Sequence, residues 1–384
     1  MTTAPFTGGT RRQWLRGAGA LGMCAAAWPV TAQKADTGTI LIGQSTMLSG
    51  PLAVVMKGLL EGQKLALDEF NARGGVGGRQ VKLLILDDVY DPKKCIENVN
   101  TFIERDKVTA VFGLSSTANV AATLPIFAEK QVPLIGVYTG APTLRAKHNP
   151  YFFTHTASYR DEVVQMVKNL KTVARDQIGL VYMNNAFGQL MTPVVEEVVK
   201  EQGATLVGKA PLEANGSNAD AAALALAAAK PKAVIFMAFG PSLVSFVRSA
   251  RNYIGVPVYS VSVANNKAAL DALGDDARGL AITTLIPNPL RPSTGMSRDF
   301  AKADEKAKMP IDHDHFWGYL NLRVLLEELR RAGKGVTPQS LATSIEQMHD
   351  VDLGGYRLNY SPTNHHGSTY VDIMIAGPGG RFFR

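Results

Sequence analysis

The chain has 384 residues, of which 46% are hydrophobic and 19% charged, and its formal net charge is +7. This length is sufficient for two domains of ordinary size, each with its own hydrophobic core. The basic residues are spread along the chain, and no basic stripe interleaved with aromatic residues is present, so the sequence does not predict nucleic-acid binding.

The first 32 residues are predicted to be an export signal. Arg11 and Arg12 precede the apolar run Gly17–Val30, which is shorter than the roughly 20 residues of a membrane span and resembles the apolar region of a signal peptide. The paired arginines are typical of a twin-arginine signal. We expect cleavage near Ala32 and a periplasmic protein. Cys24 follows a methionine rather than a small residue, so lipid attachment is not predicted.

Cleavage near Ala32 would remove three arginines and no acids, which leaves 37 basic and 33 acidic residues and a net charge of +4. Cys95 would then be the remaining cysteine, and it cannot form an internal disulfide alone. No other apolar segment is long enough to span a bilayer, so we expect a soluble protein, and a monomer.

The segment Gly58–Asp88 predicts a helix, a glycine-rich turn and a strand. Val55, Leu59, Gly62, Ala66 and Phe70 are spaced by three and four residues and share one helical face, where Gly62 would let the helix lie close to a sheet. The glycines that follow come after a helix and before a strand, the reverse of a dinucleotide-binding fingerprint. They predict a tight turn, since glycine tolerates positive φ.

Apolar runs that predict strands alternate with helical periodicity along the whole chain. These runs are Ile40–Gly43, Val81–Leu86, Ala110–Gly113, Leu134–Val137, Ile178–Tyr182, Ala233–Ala238, Val256–Val261 and Leu280–Leu285. They predict an α/β protein with parallel sheets covered by helices, and their grouping before and after about residue 156 favours two lobes. Ala221–Lys230 and Phe316–Arg331, the latter closed by Gly333, are predicted helices, and Gly354–Arg384 predicts two or three further strands.

Small hydroxyl residues follow two of these predicted strands. Ser115, Ser116 and Thr117 come after Ala110–Gly113, and Tyr138, Thr139 and Gly140 come after Leu134–Val137; a helix follows each group. Free backbone N–H groups and the positive ends of these helices favour an anion, so the two groups could hold a carboxylate. The same residues are also common as ordinary helix N-caps, and the local sequence does not distinguish capping from carboxylate binding.

The ordered set of motifs resembles the type I periplasmic solute-binding proteins of the branched-chain amino acid ABC transporter family. The motifs are Gly43 with Leu48–Ala53, Asn71–Arg79, Leu86–Pro92, Val108–Pro125, Val132–Gly136, Ala186–Gln189 and Gly354–Ser368. The resemblance implies two Rossmann-like lobes joined by three crossovers, residues 38–156 with 287–347 and residues 157–286 with 348–384. It also implies that the lobes close over a small solute by hinge motion and present it to an inner-membrane permease.

The resemblance also implies roles for individual residues. Hydroxyls and backbone amides at Ser116, Thr117, Thr139 and Gly140 would hold the solute carboxylate, with Ser115 and Tyr138 beside them. Phe187 would stack over the solute. Further candidates are Tyr159, Phe239 and Gly240.

Two departures from the family pattern bear on the solute. Members that bind amino acids carry an acid for the ammonium group near Ser262, where this chain has no acid before Asp271. Asp314 could supply the charge; otherwise the solute is a carboxylate without an amine, or a neutral amide, because an unpaired buried ammonium is costly. The disulfide of some members is absent, since Tyr90 and Ser116 occupy its positions.

Other classes of function have weaker support in the sequence. Asp312–His315 with His365 and His366 could form a metal site, but the spacing is not that of a structural zinc site, and we predict neither a metal nor a cofactor. Asp87 and Asp88 could act as an acid–base pair, yet no nucleophile elbow, metalloprotease motif or P-loop is present, so we do not predict an enzyme. A ligand-binding subunit of a sensor remains an alternative to a transport protein.

Overall fold

A computed structural model describes residues 1–2, 38–50, 53–291, 293–377 and 382–383. The predicted signal sequence, its paired arginines and Cys24 lie outside these residues, apart from the first two. Residues 36–384 cluster as one unit, to which all the elements below belong. Within the described ranges, no helix combines the length and the hydropathy needed to cross a bilayer.

Strands and helices alternate through most of this unit. The strands are β1 (Ile40–Thr46), β2 (Val81–Asp87), β3 (Ala110–Phe112), β4 (Leu134–Ile135), β5 (Phe152–Phe153), β6 (Gln177–Met183), β7 (Thr205–Leu212), β8 (Ala233–Met237), β9 (Val258–Ser260), β10 (Ala281–Thr284), β11 (Val351–Asp352), β12 (Arg357–Leu358), β13 (Asp372–Ala376) and β14 (Phe382–Phe383). The helices are α1 (Ala53–Ala72), α2 (Pro92–Asn100), α3 (Thr117–Lys130), α4 (Tyr159–Thr172), α5 (Ala186–Glu201), α6 (Ala219–Ala228), α7 (Pro241–Tyr253), α8 (Lys267–Leu273), α9 (Gly295–Ala307), α10 (His313–Ala332) and α11 (Pro338–Glu346).

The strands form two main sheets, as the α/β prediction requires. The first sheet has the order β2-β1-β3-β4-β5 and is parallel throughout. The second has the order β14-β13-β10-β9-β8-β6-β7; β13 pairs antiparallel with both β10 and β14, and the other neighbouring strands are parallel. All eight predicted strands are present. The prediction missed β5 and β11, which have two residues each, and β7, an edge strand that is mostly exposed or half-buried and so lacks a continuous apolar run.

The predicted helices at Ala221–Lys230 and Phe316–Arg331 are confirmed as α6 and α10. Helix α10 begins at His313, three residues before the apolar pattern, because the Asp312 side chain caps it by accepting a hydrogen bond from the His315 N–H at 3.0 Å. The helix ends at Gly333, whose φ of +81° suits glycine.

The glycine-rich turn after α1 is confirmed, but the partner predicted for Gly62 is wrong. Gly74, Gly75, Gly77 and Gly78 all have positive φ, and the turn leads directly into β2. Gly62 faces α10 rather than a sheet, since a Cβ atom there would lie 1.9 Å from the His315 carbonyl oxygen. The spacing shows which helical face is buried, and only the structure shows that the neighbour is a helix.

The tail beyond residue 347 is divided between the two sheets. β13 and β14 belong to the second sheet, but residues 348–367 pack with the first: Tyr356 and Tyr360 are buried in the same core cluster as α10, and the Gly367 N–H donates to Thr154 at 2.8 Å. We therefore propose that the third crossover lies between Gly367 and β13. The other predicted lobe boundaries stay predictions.

The close approach of α1 and α10 makes Gly62→Ala a sharp test of this packing. Alanine normally stabilises a helix relative to glycine by up to about 1 kcal/mol, whereas the added methyl here meets backbone and should destabilise the protein by roughly 1–3 kcal/mol. Lys57→Ala, at an exposed position of the same helix, is the control and should change stability by less than about 0.5 kcal/mol. Urea unfolding would measure both; a stabilised Gly62→Ala protein would contradict the packing.

Candidate functional site

A cavity of about 40 Å³ lies where the carboxyl ends of strands from both sheets meet. Nine of the twelve predicted site residues line it: Ser115, Thr117, Tyr138, Thr139, Tyr159, Phe187, Phe239, Ser262 and Asp314. Seven residues that were not predicted also line it: Met47, Met56, Leu59, Tyr90, Val263, Asn265 and Trp317. Parallel sheets bring their loops together at this edge, which explains why residues far apart in sequence converge.

The first sheet contributes a pair of threonine hydroxyls. Thr117 is the first residue of α3, and its Oγ1 lies 2.7 Å from the Oγ1 of Thr139, which follows β4. Both side chains are buried. Ser115 lines the cavity beside them and accepts a hydrogen bond from the Thr46 hydroxyl at 3.0 Å. The pair therefore stands at the N-terminus of a 14-residue helix, where partial positive charge favours an anion.

The remaining three predicted residues lie behind the cavity wall. Ser116 is the N-cap of α3, and its Oγ accepts from the Asn119 N–H at 3.3 Å. The Gly140 carbonyl accepts from the Tyr159 N–H at 2.8 Å, and a Cβ at Gly140 would lie 2.8 Å from that nitrogen. Gly240 precedes α7 with a φ of +70°. In this structure the three support the loops that carry the cavity residues.

Aromatic rings form much of the cavity wall. Tyr159 and Phe187 meet edge to face with centroids 5.5 Å apart, and Phe187 meets Phe239 at the same separation. On the other side Tyr138 and Trp317 are 5.3 Å apart, also edge to face. Trp317 was missed because it belongs to the apolar pattern of α10 and resembles a core residue. The wall suits a solute with an apolar or aromatic body.

Asp314 lines the cavity and already accepts hydrogen bonds from residues on the opposite side of the cavity. Its Oδ2 accepts from Asn266 Nδ2 at 2.9 Å and from the Lys267 N–H at 3.2 Å. Asp314 belongs to α10, whereas Asn266 and Lys267 begin α8, which follows β9 of the second sheet. Burial raises the pKa of the Asp314 carboxyl to about 7. This contact links the two sides of the cleft.

Ser262 has an acidic neighbour that the sequence did not reveal. Its N–H donates to Glu162 Oε2 at 2.7 Å and its hydroxyl to Oε1 at 3.0 Å, and the Thr283 hydroxyl also donates to this carboxylate. Glu162 is fully buried, and burial raises its pKa to about 7. No acid lies near Ser262 in the sequence, but in the fold Glu162 of α4 contacts it. Asp271, the next acid along the chain, lies at the surface and pairs with Lys267.

The residues of the alternative metal site do not converge. His315 bonds Asp312 and Glu61 at 2.8 and 2.9 Å, whereas His365 bonds Glu346 at 3.1 Å. His366 instead contacts Thr154. In the part of the chain that the structure describes, no three metal-ligating side chains form a group that could hold an ion.

The two acids at the end of β2, Asp87 and Asp88, serve local structure. Asp87 accepts from the Leu48 N–H at 2.9 Å, and Asp88 from the Ser45 hydroxyl at 3.0 Å. Neither lines the cavity. At the positions where the resemblance implies a disulfide in some members, burial raises the pKa of the Tyr90 phenol, and a hydrogen bond with Ser116 opposes that rise.

A cleft of hydroxyls and aromatic rings between two mainly parallel sheets is typical of a ligand-binding protein of the two-lobed type. The sequence matches the profile of the periplasmic binding proteins over residues 39–381, and the chain belongs to that family.

Individual relatives are similar along most of their length. The Leu/Ile/Val-binding protein homolog 7 of Brucella abortus (strain 2308) is 23% identical over 84% of each chain, and homolog 8 of Brucella suis is 23% identical over 90% of this chain and 89% of its own. A substrate-binding periplasmic protein from Ralstonia solanacearum is 28% identical with a TM-score of 0.80, covering 89% of this chain and 99% of its own. The structure of a branched chain amino acid ABC transporter from Thermus thermophilus with bound valine has a TM-score of 0.82 at 18% identity, over 90% and 94% of the chains, and supports the fold alone.

Glu162 should make stability depend on pH. Its pKa rises from 4.5 to about 7 on folding, so the stability it contributes is fully present below about pH 4.5 and is lost as the pH rises to about 7. Between these limits the unfolding free energy of the wild type should fall by roughly 2–3 kcal/mol more than that of Glu162→Gln. Urea titrations at both pH values would measure this, with the exposed Glu129→Gln as control. An equal change in unfolding free energy for Glu162→Gln and wild type would show that folding does not raise the pKa of Glu162.

Proposed function

We propose that this protein is the exported substrate-binding subunit of an ABC importer, and that its lobes close over a small carboxylate-bearing solute. The solute-loaded form would then be recognised by an inner-membrane permease, with the binding protein acting as a monomer. The observation that carries the proposal is the hydroxyl pair of Thr117 and Thr139, 2.7 Å apart at the start of α3 and facing the cavity.

This pair suits a carboxylate on two physical grounds. The N-terminus of α3 provides positive potential, and the two hydroxyls can donate to two carboxylate oxygens once a solute replaces their mutual hydrogen bond. The aromatic wall of Tyr159, Phe187 and Phe239 would cover the apolar part of the solute. The carboxylate would bind on the threonine side of the cleft and the apolar part on the aromatic side, so a bound solute would favour the closed form.

Export follows from family membership together with the leader. Twin arginines and a short apolar run support an export signal with cleavage near Ala32, and the family is named for the periplasm. Since the profile describes binding proteins and Asp87 and Asp88 have local structural partners, we propose that the protein is not an enzyme.

The main alternatives concern the chemical class of the solute, which is either an amino acid or a solute without an amine. The relatives from Brucella are named for leucine, isoleucine and valine, which supports an amino acid. Asp314 already accepts hydrogen bonds from Asn266 and Lys267, so its charge is partly used within the protein. This favours instead a solute without an amine, either an aromatic or aliphatic carboxylate or an amide. A sensor subunit would share the same cleft, and copurification with a permease or a membrane sensor would distinguish the two.

A thermal-shift screen of amino acids, aromatic acids, short-chain acids and amides tests the proposal. A solute that binds only the folded protein stabilises it by RT ln(1 + [L]/Kd), or about 2.7 kcal/mol at 100 times Kd. We expect at least one carboxylate to raise the melting temperature. Turnover of a chromogenic hydrolase substrate without any stabilising solute would overturn the receptor function.

Removing both hydroxyls should weaken solute binding without unfolding the protein. Thr117→Ala combined with Thr139→Ala should cost about 1–3 kcal/mol of affinity, because two hydrogen bonds to a charged group are lost. Isothermal titration calorimetry with a carboxylate from the screen measures this, and the exposed Thr143→Ala is the matched control. Unchanged affinity in the double variant would remove these threonines from the site.

A further inference from the structure

Asn265 has buried polar atoms without partners inside the cavity. The side chain is 2% exposed and lines the cavity, and neither Oδ1 nor Nδ2 makes a hydrogen bond. Buried side-chain amides are satisfied in the large majority of cases, so an exception of this kind requires an explanation. The sequence does not indicate this role, because an asparagine beside a predicted strand end is typical of a turn.

The neighbouring asparagine shows the contrast. Asn266 uses both ends of its amide: Oδ1 accepts from the Ala269 N–H at 3.3 Å, and Nδ2 donates to Asp314 at 2.9 Å. Other buried amides without partners, such as those of Gln44 and Asn119, do not line the cavity. Among the described cavity residues, Asn265 alone presents a buried donor and acceptor that are both unused.

The acids near the cavity are already occupied by protein donors. Asp314 accepts from Asn266 and Lys267, and Glu162, behind Ser262, accepts from Ser262 and Thr283. The cavity side chain whose buried donor and acceptor are both unused is the neutral amide of Asn265. An ammonium placed against the neutral Asn265 amide would receive no counter-charge from that residue and would depend on Asp314, whose Oδ2 is already shared by Asn266 and Lys267.

We propose that Asn265 determines specificity in this cleft, and that the solute is a carboxylate whose second polar group is an uncharged hydroxyl or amide on an apolar skeleton. The inference rests on the proposed function, since the threonine pair would hold the carboxylate. A hydroxyl or amide N–H of the solute donates to Asn265 Oδ1, and its oxygen accepts from Nδ2. Pairing both atoms on binding would give the closed cleft a preference for such solutes.

Two matched series of acids test this assignment by calorimetry. The first is 3-phenylpropanoate, L-3-phenyllactate, N-acetyl-L-phenylalanine and L-phenylalanine; the second has the 4-methylpentanoate skeleton with the same four substituents at carbon 2. We expect the hydroxy or acetamido acid of at least one series to bind about tenfold or more tighter than the amino acid. An amino acid that binds as tightly as its hydroxy and acetamido counterparts would overturn the assignment while leaving the proposed function intact.

Variants at Asn265 separate binding from folding. Asn265→Leu should abolish the preference for the hydroxy or acetamido acid over the unsubstituted acid, yet leave the melting temperature of the solute-free protein unchanged or higher, because it removes unpaired buried polar atoms. Asn265→Asp should shift the preference toward the amino acid by about tenfold or more. Asn252→Asp, which adds the same charge at an exposed position of α7, is the control.

The outcomes distinguish the two levels of the proposal. Loss of solute-free stability in Asn265→Leu together with an unchanged order of affinities would show that the amide is structural and would overturn the inference. If no acid of either series and no carboxylate of the broader screen binds the wild type, the proposed carboxylate receptor fails, and the assignment of Asn265 fails with it.

Discussion

The close contact between α1 and α10 fixes the geometry on which the cleft depends. A Cβ at Gly62 would lie 1.9 Å from the His315 carbonyl oxygen, and one at Gly318 would lie 1.9 Å from that of Leu59, so each helix needs a glycine opposite the other's backbone. This contact brings the first turn of α10, with Asp314, into the cavity beside residues of α1. A wider separation of the helices would withdraw Asp314 from the second side of the cleft.

The same helix also holds the first crossover between the sheets. His155 follows β5, and its ring bonds Asn321 at 2.6 Å and Glu328 at 3.2 Å, both on α10 and all three buried. Asn321 in turn donates to the Gly136 carbonyl after β4 at 2.7 Å. Since buried polar networks of this kind require all their members, a change in α10 would affect the crossover and the cavity together. Helix α10 therefore supports both the first crossover and the surface of the cavity.

The sequence was most informative where the signal is local. Apolar runs predicted eight of the strands, and hydroxyls at two strand ends predicted the Thr117 side of the cavity, because sheet topology brings strand ends together. Glu162 and Asn265 were not predicted, because their roles depend on contacts between distant parts of the chain. Glu162 meets Ser262 across 100 residues of chain, and the unpaired state of the Asn265 amide follows only from its surroundings in three dimensions. The partner of Gly62 was misjudged because periodicity identifies a buried face and not its neighbour.

Tyr90 and Ser116 stand where the resemblance implies a disulfide in some family members, and this has a consequence for where the protein can acquire its structure. The thiol of Cys95, the one cysteine in the described part of the chain, is fully buried, and burial raises its pKa to about 12. A buried protonated thiol is a poor nucleophile and a poor target for oxidants. From residue 38 onward, no cross-link has to form before the two sheets can close over a solute. Folding and solute capture should therefore proceed equally well in reducing and oxidising surroundings, on either side of the membrane that the leader is predicted to cross.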